Sequence, residues 1–267
     1  MRLLSGILLA SAVLLPLSGT AVADDEPSTQ VVGGTKASTK DNPFAVFLTR
    51  PGKRNSFCGG SIVAPNKVLT AAHCVEEGGK PDDPATVNVV AGRDDERTDA
   101  GVVAKVKRLA VHPKYDGFGP DFAVLTLDRV LPYKPISLAT SKDSGLQQPG
   151  KQLTVLGWGS TQKAGGGESP LLLKAKLPVV PDKSCLTFYG KDDEGIDVFN
   201  PKQMICAGDV DGNRDSCFGD SGGPFVASGK LVGVVSFGPP QCAQPNAPAV
   251  YGKVSSEETW IKQQILY

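Results

Sequence analysis

The sequence predicts an all-β protein of the barrel or sandwich type, divided into two halves. Eleven short β-branched or apolar runs follow one another, separated by Gly, Pro, Asn and Asp. A polar stretch at 141–150 interrupts them and marks a seam. The one convincing helix closes the chain. The 267 residues are 40% hydrophobic and 21% charged, which suits one large or two small cores. A formal net charge of zero gives no electrostatic footprint for nucleic acid or a membrane surface.

Residues 1–23 read as a secretory signal peptide. Met1-Arg2 leads into an apolar run through Leu17, and Ala21-Val22-Ala23 supplies a small-x-small cleavage site. The run is too short for a membrane anchor and is broken by Pro16. Residues 24–30, DDEPSTQ, are acidic and polar. Val31-Val32-Gly33-Gly34 has the composition of a strand end and a turn. The first half places strands at 44–50, 58–64, 68–71, 86–92, 102–111 and 122–127. The second places them at 152–158, 171–180, 225–227, 231–237 and 249–254. Ser255 and Glu258 form a capping-box pattern for the final helix, with Trp260, Ile261 and Ile265 facing the core.

Secretion puts the six cysteines in an oxidising compartment, where disulfides are expected. Fifteen pairings are possible, and the arithmetic leaves all of them open. With no Cys-x-x-Cys pair and two histidines, neither a zinc site nor any other cofactor is expected. No Asn-x-Ser/Thr sequon occurs.

Chemistry concentrates in Asp215-Ser-Cys-Phe-Gly-Asp-Ser-Gly-Gly-Pro224. A structural turn uses one or two glycines; this stretch adds two acids, two serines and a cysteine. Ser221 is a weak nucleophile unless a base reaches its hydroxyl. Imidazole can come from His73 or His112. His73 follows small residues at a strand end and precedes Cys74, whereas His112 enters a proline turn and reads as a surface or turn histidine. The base also needs a buried carboxylate to hold one tautomer. Asp121 stands at the mouth of the apolar run from Phe122 to Leu127, while Asp116 and Asp128 sit in polar, turn-like settings.

The segments around His73, Asp121 and Gly219–Gly223, with Val31-Val-Gly-Gly34, resemble trypsin-like serine proteases of the chymotrypsin fold over residues 31–267. The order His73, Asp121, Ser221 is the chymotrypsin order. The resemblance implies two six-stranded antiparallel β-barrels packed face to face, at 31–145 and 146–267, with a C-terminal helix. It makes 24–30 an activation propeptide and 31 the mature N-terminus, leaving a mature formal charge of +2. The implied catalytic residues are His73, Asp121 and Ser221, with the N–H groups of Gly219 and Ser221 as oxyanion hole. Asp215 is the implied pocket floor, and Gly238 and Ala249 are its walls. Ser236 is the serine that hydrogen-bonds the buried aspartate beside that pocket, and Asp220 receives the α-amino group of Val31. The implied disulfides are Cys58–Cys74, Cys185–Cys206 and Cys217–Cys242, a sparse set similar to that of microbial trypsins.

The implied activity is that of a secreted, extracellular, monomeric endopeptidase cutting protein or peptide substrates after Lys or Arg. Protein protease inhibitors are the expected further partners, with no nucleic acid and no membrane. A catalytically inactive binding protein on the same fold is the alternative. The chain departs from the pattern at four places. Ala249 replaces a usual glycine, Phe237 a usual tryptophan, and Gln30 precedes the activation cut, which points to maturation by another protease. Arg93 stands where a first acidic calcium ligand would be, so 92–96 reads as a solvated charged loop without a metal.

Overall fold

Burial on both faces sets the first half apart from a simple alternating sheet. In this computed structural model, which describes residues 31–267, strand β1 (Ala45–Thr49) has every residue buried. Val46 and Leu48 face the interior of the first barrel, while Ala45 and Phe47 face Leu156 and Trp158 of the second half. The Phe47 and Trp158 rings meet edge to face at 5.0 Å. The signal-peptide and propeptide readings of 1–23 and 24–30 lie outside the described residues.

With β2 (Cys58–Ala64), β3 (Lys67–Thr70), β4 (Asn88–Ala91), β5 (Val102–Val111) and β6 (Ala123–Leu127), β1 closes a barrel in the order β1-β2-β3-β6-β5-β4. Every pairing is antiparallel. The second half uses β7 (Gln152–Gly157), β8 (Leu173–Pro178), β9 (Met204–Ala207), β10 (Pro224–Ala227), β11 (Lys230–Phe237) and β12 (Ala249–Lys253). Their order is β8-β7-β10-β11-β12-β9. This sheet curls until its edges meet at a single bridge, Val179 to Ala207. The first barrel thus closes by a full ladder, and the second is a curled half-barrel.

Two short pieces of the first half stitch the halves together. Thr35–Lys36 pairs with β8, and Ser137–Leu138 lies parallel to β11. The polar seam is helical: Ser141–Gln147 forms a 3-10 turn whose start is capped reciprocally by Thr140 and Asp143.

Among the main strands of the two sheets and the α-helices, two were not foreseen. Strand β9 is four residues long and its Met-Ile-Cys-Ala sequence has little β-branching. Helix α1 (Asp182–Tyr189) buries only Cys185, so it leaves no strong apolar periodicity; Pro181 and Gly190 bound it. The expected capping box does not form. Val254–Ser256 makes a 3-10 turn, α2 runs from Glu258 to Leu266, and the Ser255 hydroxyl accepts from Gln147 Nε2 at 3.0 Å. Ile261 is buried and Trp260 and Ile265 pack beside it on the first barrel's core, as the pattern predicted.

His112 is a second correction. It is buried, with Nε2 3.1 Å from Glu257 and Nδ1 accepting from the Lys114 N–H at 3.2 Å. Its ring meets Trp260 edge to face at 4.6 Å, so it clasps α2 to the first barrel. Burial is the largest influence and pulls its pKa down, with Lys114 adding and Glu257 opposing. A histidine lowered in the folded state is protonated more readily when unfolded. Stability is therefore lost as pH falls through the ordinary histidine value of about 6.5. Chemical denaturation between pH 7 and 5, in a Ser221→Ala background, should show a shallower loss for His112→Gln than for His112 intact. Identical slopes would contradict this account.

Candidate active site

The site forms where the two halves meet. β3 ends at Thr70, and the wholly buried Ala71 and Ala72 let the chain tuck into the 3-10 turn Ala72–Cys74. His73 projects from that turn with its side chain one-third exposed. Asp121 is buried just before β6. Its Oδ1 accepts the His73 backbone N–H at 3.0 Å, and its Oδ2 faces His73 Nδ1 at 2.7 Å. The same Oδ2 accepts the Ser236 hydroxyl, from β11, at 2.6 Å. Carboxylate against Nδ1 places the imidazole proton there and leaves Nε2 as a lone-pair acceptor. Burial pulls the His73 pKa down, but the hydrogen bond and charge of Asp121 outweigh it and leave it raised. For Asp121 burial pushes up, and the His73 and Ser236 contacts overcome it, leaving the carboxyl below its ordinary value. The rivals lie elsewhere: Asp116 caps Phe118 and Gly119, and Asp128 pairs with Arg129.

Ser221 sits in a loop whose backbone is nearly fully committed. Its carbonyl accepts from Gly59 at 2.7 Å, while Asp220, Gly222 and Gly223 donate to Cys217, Val235 and Asp220. The N–H groups of Gly219 and Ser221 find no acceptor among the described residues. Gly219 has φ +90°, which side chains rarely adopt, so glycine is needed to turn its amide this way. The disulfide Cys58–Cys74 ties the histidine turn to β2, and Cys217–Cys242 ties the serine loop to the segment after β11. Cys185–Cys206 joins α1 to β9. The sulfurs of Cys58 and Cys74 cluster with the His73 ring, but they are bonded to each other and offer no thiolate to a metal.

A pocket of about 260 Å³ opens beside Ser221, between Ser216–Phe218 on one wall and Val235–Pro239 on the other. Asp215 precedes that first wall and is 2% exposed. Its Oδ2 accepts from Ala243 at 2.8 Å, whereas its Oδ1 is buried without a partner. Burial pushes its pKa up to about 7, against hydrogen bonds from Ala243 and Ser216. Ser216 is braced by Tyr251, hydroxyl to hydroxyl at 3.0 Å. A side-chain carbon at Gly238 would stand 3.8 Å from the Ala249 methyl, so these two positions face each other. Phe237 lines the pocket mouth and touches Tyr189 edge to face at 5.2 Å. Phe218, passed over in the sequence, forms the opposite lip and is half exposed. Its signal was a large apolar residue inside a loop of small and polar ones.

Asp220 is wholly buried and turns away from this pocket. It accepts the N–H groups of Gly159 and Cys217, each at 2.9 Å, and burial pushes its pKa up to about 6. Val31 is buried in the second core, Val32 packs with Cys217 and Cys242, and the Val32 carbonyl accepts the Asp215 N–H at 3.1 Å. The reading of 92–96 as a solvated loop is overturned. Arg93 and Glu96 are buried; Arg93 Nε donates to the Ala100 carbonyl at 2.7 Å, and Glu96 accepts the Ser56 N–H at 2.7 Å. The guanidinium supplies a cation inside this loop.

Fold and site together define a class, the serine proteases built on paired β-barrels. The sequence model of the trypsin family, described as Trypsin, matches residues 31–261. A trypsin of Saccharopolyspora erythraea is 42% identical over 237 residues, 88% of this chain and 98% of that one. Trypsin 5G1 of Aedes aegypti is 37% identical, covering 88% and 85% of the two chains, and a trypsin-like protease of Streptomyces glaucescens is 34% identical, covering 94% and 86%. The chain belongs to the trypsin family and is a serine endopeptidase acting on protein or peptide substrates. Among the described residues no helix is long and apolar enough to cross a membrane.

The approach of Gly159 to Asp220 generates a prediction. A Cβ there would lie 2.6 Å from the Asp220 carboxyl carbon. Gly159→Ala should cost about 1–3 kcal/mol of stability through overpacking and should lower peptide hydrolysis, read by thermal melts and by rate. Unchanged melting and rate would show that the cradle is slack.

Proposed function

We propose that this endopeptidase cleaves after Lys or Arg through an acyl-enzyme, with His73, Asp121 and Ser221 as its catalytic residues. Ser221 Oγ attacks the scissile carbonyl while His73 Nε2 takes its proton. Asp121 holds the imidazole by Nδ1 and stabilises the cation that forms. The free N–H groups of Gly219 and Ser221 receive the oxyanion, a contribution of about 10²–10³ in rate per donor. His73 then returns the proton to the leaving amine, and water repeats the sequence on the ester.

One observation carries the specificity: Asp215 is a buried carboxylate with an unpartnered oxygen beside a pocket that opens at Ser221. An ionised group so placed is costly unless a cation joins it. The ammonium of Lys or the guanidinium of Arg is that cation, and the enzyme recovers the desolvation cost only when such a substrate binds. The Ala249 methyl facing Gly238 narrows the slot and shifts the balance between the two side chains.

The chain is secreted as a precursor and matured by cleavage after Gln30, a site its own pocket does not accept. The α-amino group of Val31 then pairs with Asp220. A fully buried carboxylate held by two neutral N–H groups supports this, because an ammonium would bring its pKa back down.

Cleavage profiling of the mature enzyme on a peptide library should return Lys and Arg before the cut, and Ala249→Gly should change their ratio. A profile dominated by aromatic or acidic residues would refute the assignment. Asp121→Asn should lower kcat by about 10⁴-fold, the loss this arrangement shows in other proteases, while leaving the melting temperature near that of the parent. The pH dependence has a definite sign. Asp215 must be ionised to hold the substrate, so KM for basic substrates should rise as pH falls through about 7, and Asp215→Ser should abolish that rise along with most of the activity.

A further inference from the structure

A half-open cavity of about 620 Å³ lies between α1, the Gly208–Val210 segment after β9 and the Asn246–Pro248 segment before β12. That volume is within the roughly 300–1,000 Å³ typical of small-molecule sites. Its body is apolar. Phe188 and Val210, two large side chains left 40% and 56% exposed, line it together with Pro181, Ala247 and Pro248. One face of α1 supplies a lysine and two hydroxyls, since Lys183, Ser184 and Thr187 are spaced to align, and Asn246 adds an amide. Two charged residues line the space. Asp209 is already engaged by Arg214 Nε and the Asp211 N–H, both at 3.1 Å. Lys183 has no counter-ion among the described residues. An apolar body with one unpaired cation and two hydroxyls at its rim is complementary to a flat apolar anion.

The cavity is wired to the substrate pocket through covalent and packing contacts. Pro248 is part of its wall and is bonded to Ala249, which faces Gly238 across the substrate slot. The Tyr189 hydroxyl donates to the Pro248 carbonyl at 2.6 Å. The Tyr189 ring stands edge-on between Phe188 in the cavity, at 4.9 Å, and Phe237 at the pocket mouth, at 5.2 Å. The same segment begins at Ala243, whose N–H holds Asp215. Ala243 and Asn246 have φ of +50° and +58°, a left-handed conformation that for Ala243 persists because its surroundings hold it, so a displacement of Pro248 is passed along a tightly fixed segment.

We propose that this cavity is a second ligand site, taking an aromatic carboxylate, and that filling it raises KM at the active site. The carboxylate pairs with Lys183 while the rings lie against Phe188 and Val210. Pressure on Pro248 and Phe188 moves Ala249 and Phe237 toward the substrate slot.

The probe is 2-naphthoate. Calorimetry on the Ser221→Ala protein reads binding independently of catalysis and of the proposed cleavage specificity. One site is expected, weakened about tenfold by Lys183→Met and lost in Thr187→Trp, whose side chain fills the cavity. On the active enzyme with a peptide amide substrate, KM should rise about fivefold and then level off as naphthoate saturates, with kcat little changed. Thr187→Trp should remove that response. No binding at millimolar naphthoate, or binding indifferent to both substitutions, would overturn the site. A rise in KM that never levels off and survives Thr187→Trp would place naphthoate in the substrate pocket and overturn the proposal. Binding with unchanged KM would overturn the coupling.

Discussion

The structure depends on how one buried carboxylate is satisfied. Asp121 leaves water with three donors fixed around it, two from His73 and one from Ser236. His73 and Asp121 belong to the first barrel and Ser236 to the second half, so the ion is comfortable only when both halves are folded and docked. A buried charge short of donors would cost several kcal/mol. Orientation of the histidine, choice of its tautomer and docking of the halves are thereby one event. The double burial of β1 serves the same end by making the interface between the halves part of the core.

Three buried aspartates show how environment assigns roles to one side chain. Asp121 is fully supplied with donors and sits below its ordinary pKa. Asp215 and Asp220 are each held by backbone N–H groups alone, and burial lifts them to about 7 and about 6. The first is complete in the chain as folded. The other two each gain most from a cation that comes from outside their own loop, which is the physical ground for assigning one to substrate and the other to a newly freed N-terminus.

Much of this was legible in the sequence because it is carried by local patterns. All eleven predicted runs begin within two residues of an observed strand start because β-branched runs bounded by Gly, Pro, Asn and Asp are short-range signals, and His73, Asp121 and Ser221 each sit in a distinctive segment. What escaped depends on distant partners. His112 looked like a turn residue since Glu257 and Trp260 come from the other end of the chain. Ser255 is a good cap in isolation but is claimed by Gln147. Arg93 looked solvated because the Ala100 carbonyl that fixes it lies across its loop. Helix α1 and strand β9 pack mainly through residues flanking the Cys185–Cys206 disulfide, a contact that no local periodicity announces. The Gly157-Trp-Gly159 segment gave no hint that its glycines make room for Asp220.

Everything proposed for catalysis requires Ser221 to be a nucleophile activated by His73 and fed by a pocket suited to cations. The most direct measurement is covalent labelling of the mature enzyme with two peptidyl phosphonates that differ only in the side chain for the pocket, one guanidinium-bearing and one benzyl, followed by mass mapping. One adduct per chain is expected, on Ser221, formed far faster with the guanidinium reagent. No adduct, an adduct elsewhere, or equal rates with both reagents would contradict it.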